Sequence, residues 1–383
     1  MPEILYLIDG HALAYRSYFA LTRGGGSGRW VTSAGEPTAG IFGFTSVLMR
    51  ILEQEDPDYL AVVFDTGKTF RDEIYPEYKA TRAKMPEDLR PQIKRIRALV
   101  DSFSIPRLEM EGFEADDVLG SVSRKAVSDG FGVKIFTGDR DLLQLVNERV
   151  IVNLPGRSLA DAKDYLPDNV QDYLGVRPDQ VIDYKALMGD SSDNIPGVAG
   201  VGKKTAQILL AQYETLDGVY AHIDELKPGI RKKLEADQEN AYLSQTLATI
   251  VTNLEVPIDL EMARPDHFDP ATVREMFRQL EFRSLLPRLQ GLEQKYGKAS
   301  PSQPGEQLLL FGGPSKIAES SPSFSTEGQA ETLIIDTPEA LNNLTISLQA
   351  AEMIAFDTET TSTDQMQAKL VGISLAVESG MGY

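Results

Sequence analysis

The sequence has no cysteine among its 383 residues, only three histidines and one tryptophan, and a shortage of positive charge, with 38 basic residues against 57 acidic ones. Without cysteine there is no disulfide, no zinc–thiolate centre and no thiol nucleophile. His11, His222 and His267 are too scattered to suggest an imidazole cluster. Any hydrolytic metal site must therefore be built from carboxylates, a donor set that favours Mg2+ or Mn2+. A formal net charge of −19 argues against binding a polyanion by bulk charge, so such binding needs local basic patches. No apolar run is long enough to span a membrane, and MPEILYLIDG is unlike a signal peptide, which makes the cytoplasm the expected compartment and excludes a membrane partner.

What is present is ordinary in bulk and specific in arrangement. A hydrophobic share of 42% suits a globular protein, and the length suggests two units. Short apolar runs (ILYLID, YLAVVFD, VKIFTGD, VIVNL) alternate with helical patterns such as FGFTSVLMRILEQ, an order that predicts βαβ units and a mostly parallel sheet flanked by helices. This α/β unit is expected over 1–182. Helical patterns dominate 183–290. Residues 291–330, rich in Ser, Pro and Gly, read as a linker. Strand-like sequence resumes over 331–383 in TLIID, MIAFDTET and LVGISLAV.

Acids fall where a parallel sheet would gather them. Asp9 ends the first apolar run, Asp65 the YLAVVFD run and Asp139 the VKIFTGD run, with Asp141 two residues on. Glu114, Asp116 and Asp117 open a helical pattern in GFEADDVLG, and Asp190 and Asp193 would converge if their segment were helical. Functional groups of open α/β sheets collect beyond the carboxyl ends of the strands. Singly, each acid reads equally well as a cap or turn residue. As a set they conflict, because two carboxylates about 4 Å apart repel by roughly 4 kcal/mol at an effective dielectric near 20. Bound cations resolve the conflict, and a carboxylate nest holding two of them can activate water against a phosphodiester.

The basic residues are equally localised. Residues 68–97 hold nine Lys and Arg against five Asp and Glu, a local charge of +4, with Tyr75 and Tyr78 interleaved as a base-stacking surface requires. A solvated helix face is the plainer reading of such a run. Prolines 76, 86 and 91 make it a segmented element. Further on, MGDSSDNIPGVAGVGKKTA sets Asp190 and Asp193 beside Gly197, Gly200, Gly202, Lys203 and Lys204. Gly197–Lys203 imitates a nucleotide-binding P-loop, but Lys204 stands where the hydroxyl should be and no buried strand precedes it. What remains is a glycine turn entering a helix, whose free N–H groups face an anion such as a nucleic-acid backbone.

LIDGHALAYRSYFA, FDTGKTFRDEIYPEYKATR, EADD, TGDRDLLQL and GDSSDNIPGVAGVGKKTA, in this order, resemble the 5′-nuclease (flap endonuclease) domain family of bacterial DNA polymerase I. The resemblance covers roughly residues 1–290 and implies a PIN-like catalytic sheet, a basic helical arch near 68–97 and a helical duplex-binding region. It implies a structure-specific 5′-3′ exonuclease that hydrolyses DNA or RNA primers in replication and repair. The product would carry a 5′-phosphate and leave a 3′-hydroxyl. Residue by residue, it implies metal-binding roles for Asp9, Asp65, Glu114, Asp116, Asp117, Asp139, Asp141, Asp190 and Asp193, directly or through water, around Mg2+ or Mn2+ in two sites. Lys79 and Arg82 would approach the scissile phosphate. Arg16, Arg71 and Tyr78 would contact DNA, as would Gly200, Gly202, Lys203, Lys204 and Thr205 in a helix-turn-helix variant where K+ is the expected monovalent ion. The expected partners are 5′ flaps, nicked or gapped duplex and RNA–DNA hybrids, met by a monomer.

Two later features extend the resemblance. Asp357 and Glu359 in DTET are similar to the first metal-ligand pair of a proofreading 3′-5′ exonuclease, an RNase H-like unit whose further acids this chain does not supply, so no proofreading activity is expected. Gln307, Leu308, Leu310 and Phe311 form Q-L-x-L-F, which resembles the peptide that docks bacterial replication proteins on the sliding clamp. Packing on the chain's own nuclease unit is the equal alternative. The chain as a whole is similar to the N-terminal portion of a DNA polymerase I. The rival of another class is a non-catalytic DNA-binding or scaffold module, with the acids as caps. A PIN-type ribonuclease and an aspartyl phosphatase rank lower, the latter because Gly10 and His11 follow Asp9 where D-x-D is needed.

Overall fold

A computed structural model describes residues 2–22, 30–156 and 162–296, and then 331–332, 335, 337–351, 354–360, 370–377 and 381–382. The described residues up to 296 form one compact unit and those from 331 a second. Gln307, Leu308, Leu310 and Phe311 lie outside the described residues.

The first unit is built on a six-stranded sheet of β1 (Ile4–Asp9), β2 (Tyr59–Val63), β3 (Arg107–Leu108), β4 (Gly132–Phe136), β5 (Val150–Leu154) and β6 (Lys163–Tyr165), ordered β3-β2-β1-β4-β5-β6. All neighbours are parallel except the edge strand β6. Along β1, Leu5 and Leu7 face one apolar core while Tyr6 and Ile8 face another, so a continuous hydrophobic run is needed to cover both sides. The four strands expected from apolar runs are present. The short β3 and β6 escaped notice because two or three residues carry no periodicity.

Helices α1 (Gly10–Thr22), α2 (Ala39–Arg50), α3 (Phe70–Ile74), α4 (Leu89–Ser102), α5 (Ala115–Ser128), α6 (Pro167–Leu174), α7 (Val181–Met188) and α8 (Lys203–Tyr213) follow in chain order. They are succeeded by α9 (Leu216–Ala221), α10 (Pro228–Ala236), α11 (Gln238–Ala248), α12 (Pro270–Gln279) and α13 (Leu286–Tyr296). On one face of the sheet α5, α7, α8 and α11 pack with Leu5, Leu7 and Val63. On the other, α1, α2 and α4 pack with Ile8 and Val62. Here the structure departs from the division at 183–290. Val273, Phe277, Leu289 and Leu292 of α12 and α13 join Phe44, Leu99 and Phe103 on the α2–α4 side, so the last two helices belong to the sheet's own core. An irregular crossing over 249–264 takes the chain there, pinned where Leu60 N–H donates to Ala263 C=O (2.8 Å).

Two local expectations are corrected. Residues 75–88, between α3 and α4, form a turn-rich strap with no helix, so the basic arch is helical only at its ends. Pro76 and Pro86 remove donors and disfavour helical geometry before them, and Lys79 takes a left-handed backbone (φ 56°). Residues 190–195 are likewise not helical. Asp190 and Ile195 pair in both directions (2.9 and 2.8 Å), closing a tight loop with Asn194 at φ 57°.

In the second unit α14 (Pro338–Ala350) accompanies two strand pairs. Of these, β7 (Glu331–Thr332) and β10 (Met381–Gly382) are parallel, while β8 (Ala355–Thr360) and β9 (Leu370–Ala376) are antiparallel. Asp357 and Glu359 fall on β8. Among the described residues no helix is long and apolar enough to cross a membrane.

Candidate metal centre and nucleic-acid interface

The parallel register of β1 with β2 and β4 brings their carboxyl ends level, and this alone carries Asp9, Asp65 and Asp139 to one edge. The start of α5 points at the same edge, delivering Glu114 and Asp116, while the loops after β4 and α7 add Asp141 and Asp190. These seven carboxylates line a single cavity of about 1780 Å³. Its wall also carries His11, Tyr15, Arg16, Lys79, Arg82, Arg140, Lys185 and Lys203.

Two of the nine expected acids stand back from it. Asp117 is fully buried and is occupied by Arg71, whose guanidinium meets both carboxylate oxygens (2.6 and 2.8 Å). Asp117 also accepts from the N–H groups of Glu114 and Val251, while Arg71 donates to the C=O groups of Leu247 and Thr249. The pair thus ties α3, α5 and the end of α11 together. Arg71, 2% exposed, is not placed to touch a phosphate, nor Asp117 to touch a cavity ion. Asp193, 4% exposed, lies behind the wall, where Arg82 Nε donates to it (2.9 Å). Tyr78 is buried too, its hydroxyl 3.2 Å from Glu114 and 3.5 Å from Asp193, so it anchors the strap and does not offer a stacking face.

Burial and mutual repulsion displace the protonation of the cavity acids. Burial, then the nearby Asp65, pushes Asp9 up to about 6 against the pull of Ala12 N–H (2.9 Å) and the Thr137 hydroxyl (2.8 Å). Asp116 is raised well above the ordinary carboxylate range by burial and by Asp139, Asp9 and Glu114. Burial and Asp139 push Asp141 up to about 7, although Lys185 opposes them. Two acids go the other way. Burial works against Asp65, but His11, Ala115 N–H (2.8 Å) and Lys79 hold it at about 2. Asp190 is likewise held at about 2 against burial, by Lys185 and Ser192.

Among the described residues no three acidic or histidine side chains stand close enough together to clasp a metal ion as they are. The acids ring the cavity, and several are held by the protein's own cations. Lys79 Nζ donates to Glu114 (2.5 Å) and lies 3.9 Å from Asp193. Lys185 bridges Asp141 and Asp190. A hard, oxygen-only donor set under mutual repulsion nonetheless fits a divalent cation such as Mg2+ or Mn2+, bound partly through water.

The glycine turn sits at the cavity's rim. Gly200, at φ 75°, accepts from Lys233 Nζ (2.8 Å), and Gly202 precedes α8, so the first N–H groups of that helix carry no intrahelical partner. Lys203 reaches the cavity wall; Lys204 is exposed and Thr205 half-buried beside it. Arg16 lines the cavity and donates to the Gly156 carbonyl. Sequence reasoning passed over His11, whose Nδ1 lies 3.1 Å from both the backbone N and Oδ2 of Asp65, and also Lys185, Thr137 and Arg140. The available sign was chemical. A lysine inside the apolar run VIDYKALM needs a buried partner.

The fold of the first unit is shared with solved structures. The T5 D15 protein, crystallised with metal ions, is 21% identical with a TM-score of 0.54, covering 73% of this chain and 99% of its own. Human GEN1, solved with Holliday junction DNA, is 15% identical with a TM-score of 0.52, covering 78% of this chain and 75% of its own. These likenesses show the fold. Residues 4–175 match the 5′-3′ exonuclease N-terminal resolvase-like domain and residues 176–271 the 5′-3′ exonuclease C-terminal SAM fold. The chain belongs to the 5′-3′ exonuclease family. DNA polymerase I of Chloroflexus aurantiacus is 42% identical over 98% of this chain, and that of Deinococcus radiodurans 46% over 76%. The chain spans 40% and 30% of the length of these two relatives.

Proposed function

We propose that the chain is a divalent-cation-dependent, structure-specific 5′-3′ exonuclease and flap endonuclease acting on DNA, as the N-terminal part of a DNA polymerase I. One observation carries this reading: seven carboxylates line one cavity at the carboxyl edge of the sheet, and two basic elements, the strap and the glycine turn before α8, border it. Asp9, Asp65, Glu114, Asp116, Asp139, Asp141 and Asp190 would hold the cations, with Asp193 supporting from behind. Bound there, the cations supply a Lewis acid for the phosphoryl oxygens and lower the pKa of water.

The chain's own residues do the rest. Lys79 and Arg82 bring two positive groups to the cavity, where they offset charge developing on the phosphoryl group once substrate displaces them from Glu114 and Asp193. The N–H groups at the start of α8, with Lys203 and Lys204, grip duplex phosphates without reading sequence. His11 orients the Asp65 carboxylate. Arg16 and Arg140 add positive charge near the acids.

The finer parts of the reading rest on the family resemblance. They are Mg2+ as the resident ion, a total of two such ions, K+ at the glycine turn, RNA–DNA hybrids as additional substrates, clamp docking through Gln307, Leu308, Leu310 and Phe311, and a cytoplasmic monomer. A labelled 5′-flap duplex incubated with the chain tests the core of it. Cuts near the flap junction with Mg2+, abolished by EDTA, are the expected result. Tight binding without cutting under both conditions replaces the nuclease with a DNA-binding module.

A further inference from the structure

Lys185 occupies an expensive position. Its side chain is 9% exposed on α7, flanked by Tyr184, Ala186 and Leu187, and its ammonium sits between Asp141 and Asp190, the latter at 2.7 Å. The backbone of Asp141 is tied to Asp139, to which its N–H donates (2.9 Å), and the Asp190 carboxylate is fixed from elsewhere, accepting from the backbone (2.8 Å) and hydroxyl (2.5 Å) of Ser192 while its backbone closes the loop with Ile195. The lysine is the longest side chain of the trio. Across the cavity the pattern is different. Asp9 and Asp65 are held by N–H groups, the Thr137 hydroxyl and His11.

We infer that Lys185 is a built-in counter-cation that competes with a divalent ion for the Asp141–Asp190 pair. The Asp9–Asp65–Asp116–Asp139 side takes up an ion by drawing its acids together, and the Asp141–Asp190 side does so only after this ammonium has also swung away. An ammonium at hydrogen-bond distance from both carboxylates and a dication coordinated to the same oxygens would lie a few ångströms apart and repel strongly. Only one can be held. The lysine thereby offsets part of the negative charge of the metal-free pair and makes occupation of that side weaker than its acids alone would allow. This inference rests on reading the cavity as a divalent-cation site.

Mn2+ uptake by the full chain, followed by loss of the free-ion EPR signal, tests it with Lys185→Met, Lys185→Gln and Lys185→Arg. The wild type is expected to bind in a strong and a weak phase. Lys185→Met and Lys185→Gln should tighten the weak phase by about tenfold and leave the strong one in place, while Lys185→Arg, which keeps a cation, should leave both unchanged. Thermal unfolding gives a second readout. The Met and Gln variants should melt below wild type without Mn2+ and regain most of the difference with it, whereas a merely structural lysine would lower both midpoints alike. An unchanged weak phase in folded Lys185→Gln overturns the inference. A wild type that takes up no Mn2+ overturns instead the underlying nuclease reading.

Discussion

Arg71 and Lys79 lie eight residues apart in one basic segment, yet burial assigns them opposite work. Arg71 is sealed against Asp117, and replacing it with Met strands a carboxylate in the core. Arg71→Met should cost about 3–5 kcal/mol in urea unfolding, with part of the loss recovered by adding Asp117→Asn. Unchanged stability with weakened DNA binding would restore Arg71 to the phosphate contact expected from the sequence. Among the cavity acids, Asp9 at about 6 and Asp141 at about 7 keep their protons to higher pH than in the unfolded chain. The native state therefore binds more protons, and metal-free stability should rise as pH falls from about 7 towards about 4. Below that, protonation of Asp65 and Asp190, both held at about 2, removes the stability their pairing contributes. Divalent ions need the ionised acids, so the Mg2+-induced rise in melting temperature should be larger at pH 8 than at about pH 6. Equal rises at the two pH values would place the ion elsewhere.

At the scale of elements, the strap over 75–88 matters most. It is anchored by Lys79 N–H to Asp193 C=O (2.9 Å) and by Asn194 Nδ2 to Glu77 C=O (2.7 Å), so it rests on the loop that carries Asp190 and Asp193. Its charge was legible in the sequence as a run of Lys and Arg with few acids. Its conformation was not, because prolines announce interruptions without saying what the interrupted chain packs against. Lys79→Ala is expected to slow flap cleavage by about 10²-fold or more while weakening duplex binding only a few-fold, as for a group that acts mainly on the transition state. Equal losses in both would make Lys79 a simple electrostatic attachment. The loop at 190–195 teaches the same lesson. Two acids three apart suggested one helix face, but a tight turn sends Asp190 to Lys185 and Asp193 to Arg82.

For the whole molecule, the decisive feature is that α12 and α13 return to the α2–α4 side of the sheet. Arg288 closes this return through Glu53 (2.7 Å), and Tyr296 donates to Leu52 C=O (2.8 Å). The first unit is therefore complete only with these helices. A chain ending after Tyr296 should retain flap cleavage and its melting transition, whereas one ending after Ala263 should lose both. Retention of a cooperative transition by the shorter piece would detach α12 and α13 from the core.

The sequence by itself determined the four longer strands of the sheet, their parallel architecture and the edge at which the acids gather, since apolar runs long enough to bury two faces and acids at their ends leave few other arrangements. It also determined the absence of thiolate chemistry and the localisation of positive charge. Only the tertiary structure decided which charges face the cavity and which are spent on one another. Asp116 and Asp117 are neighbours on one helix turn, yet one lines the cavity and the other is locked to Arg71. Partners such as Lys185 with Asp141, 44 residues apart, are set by how helices pack on a twisted sheet, and no local pattern in the chain records that packing.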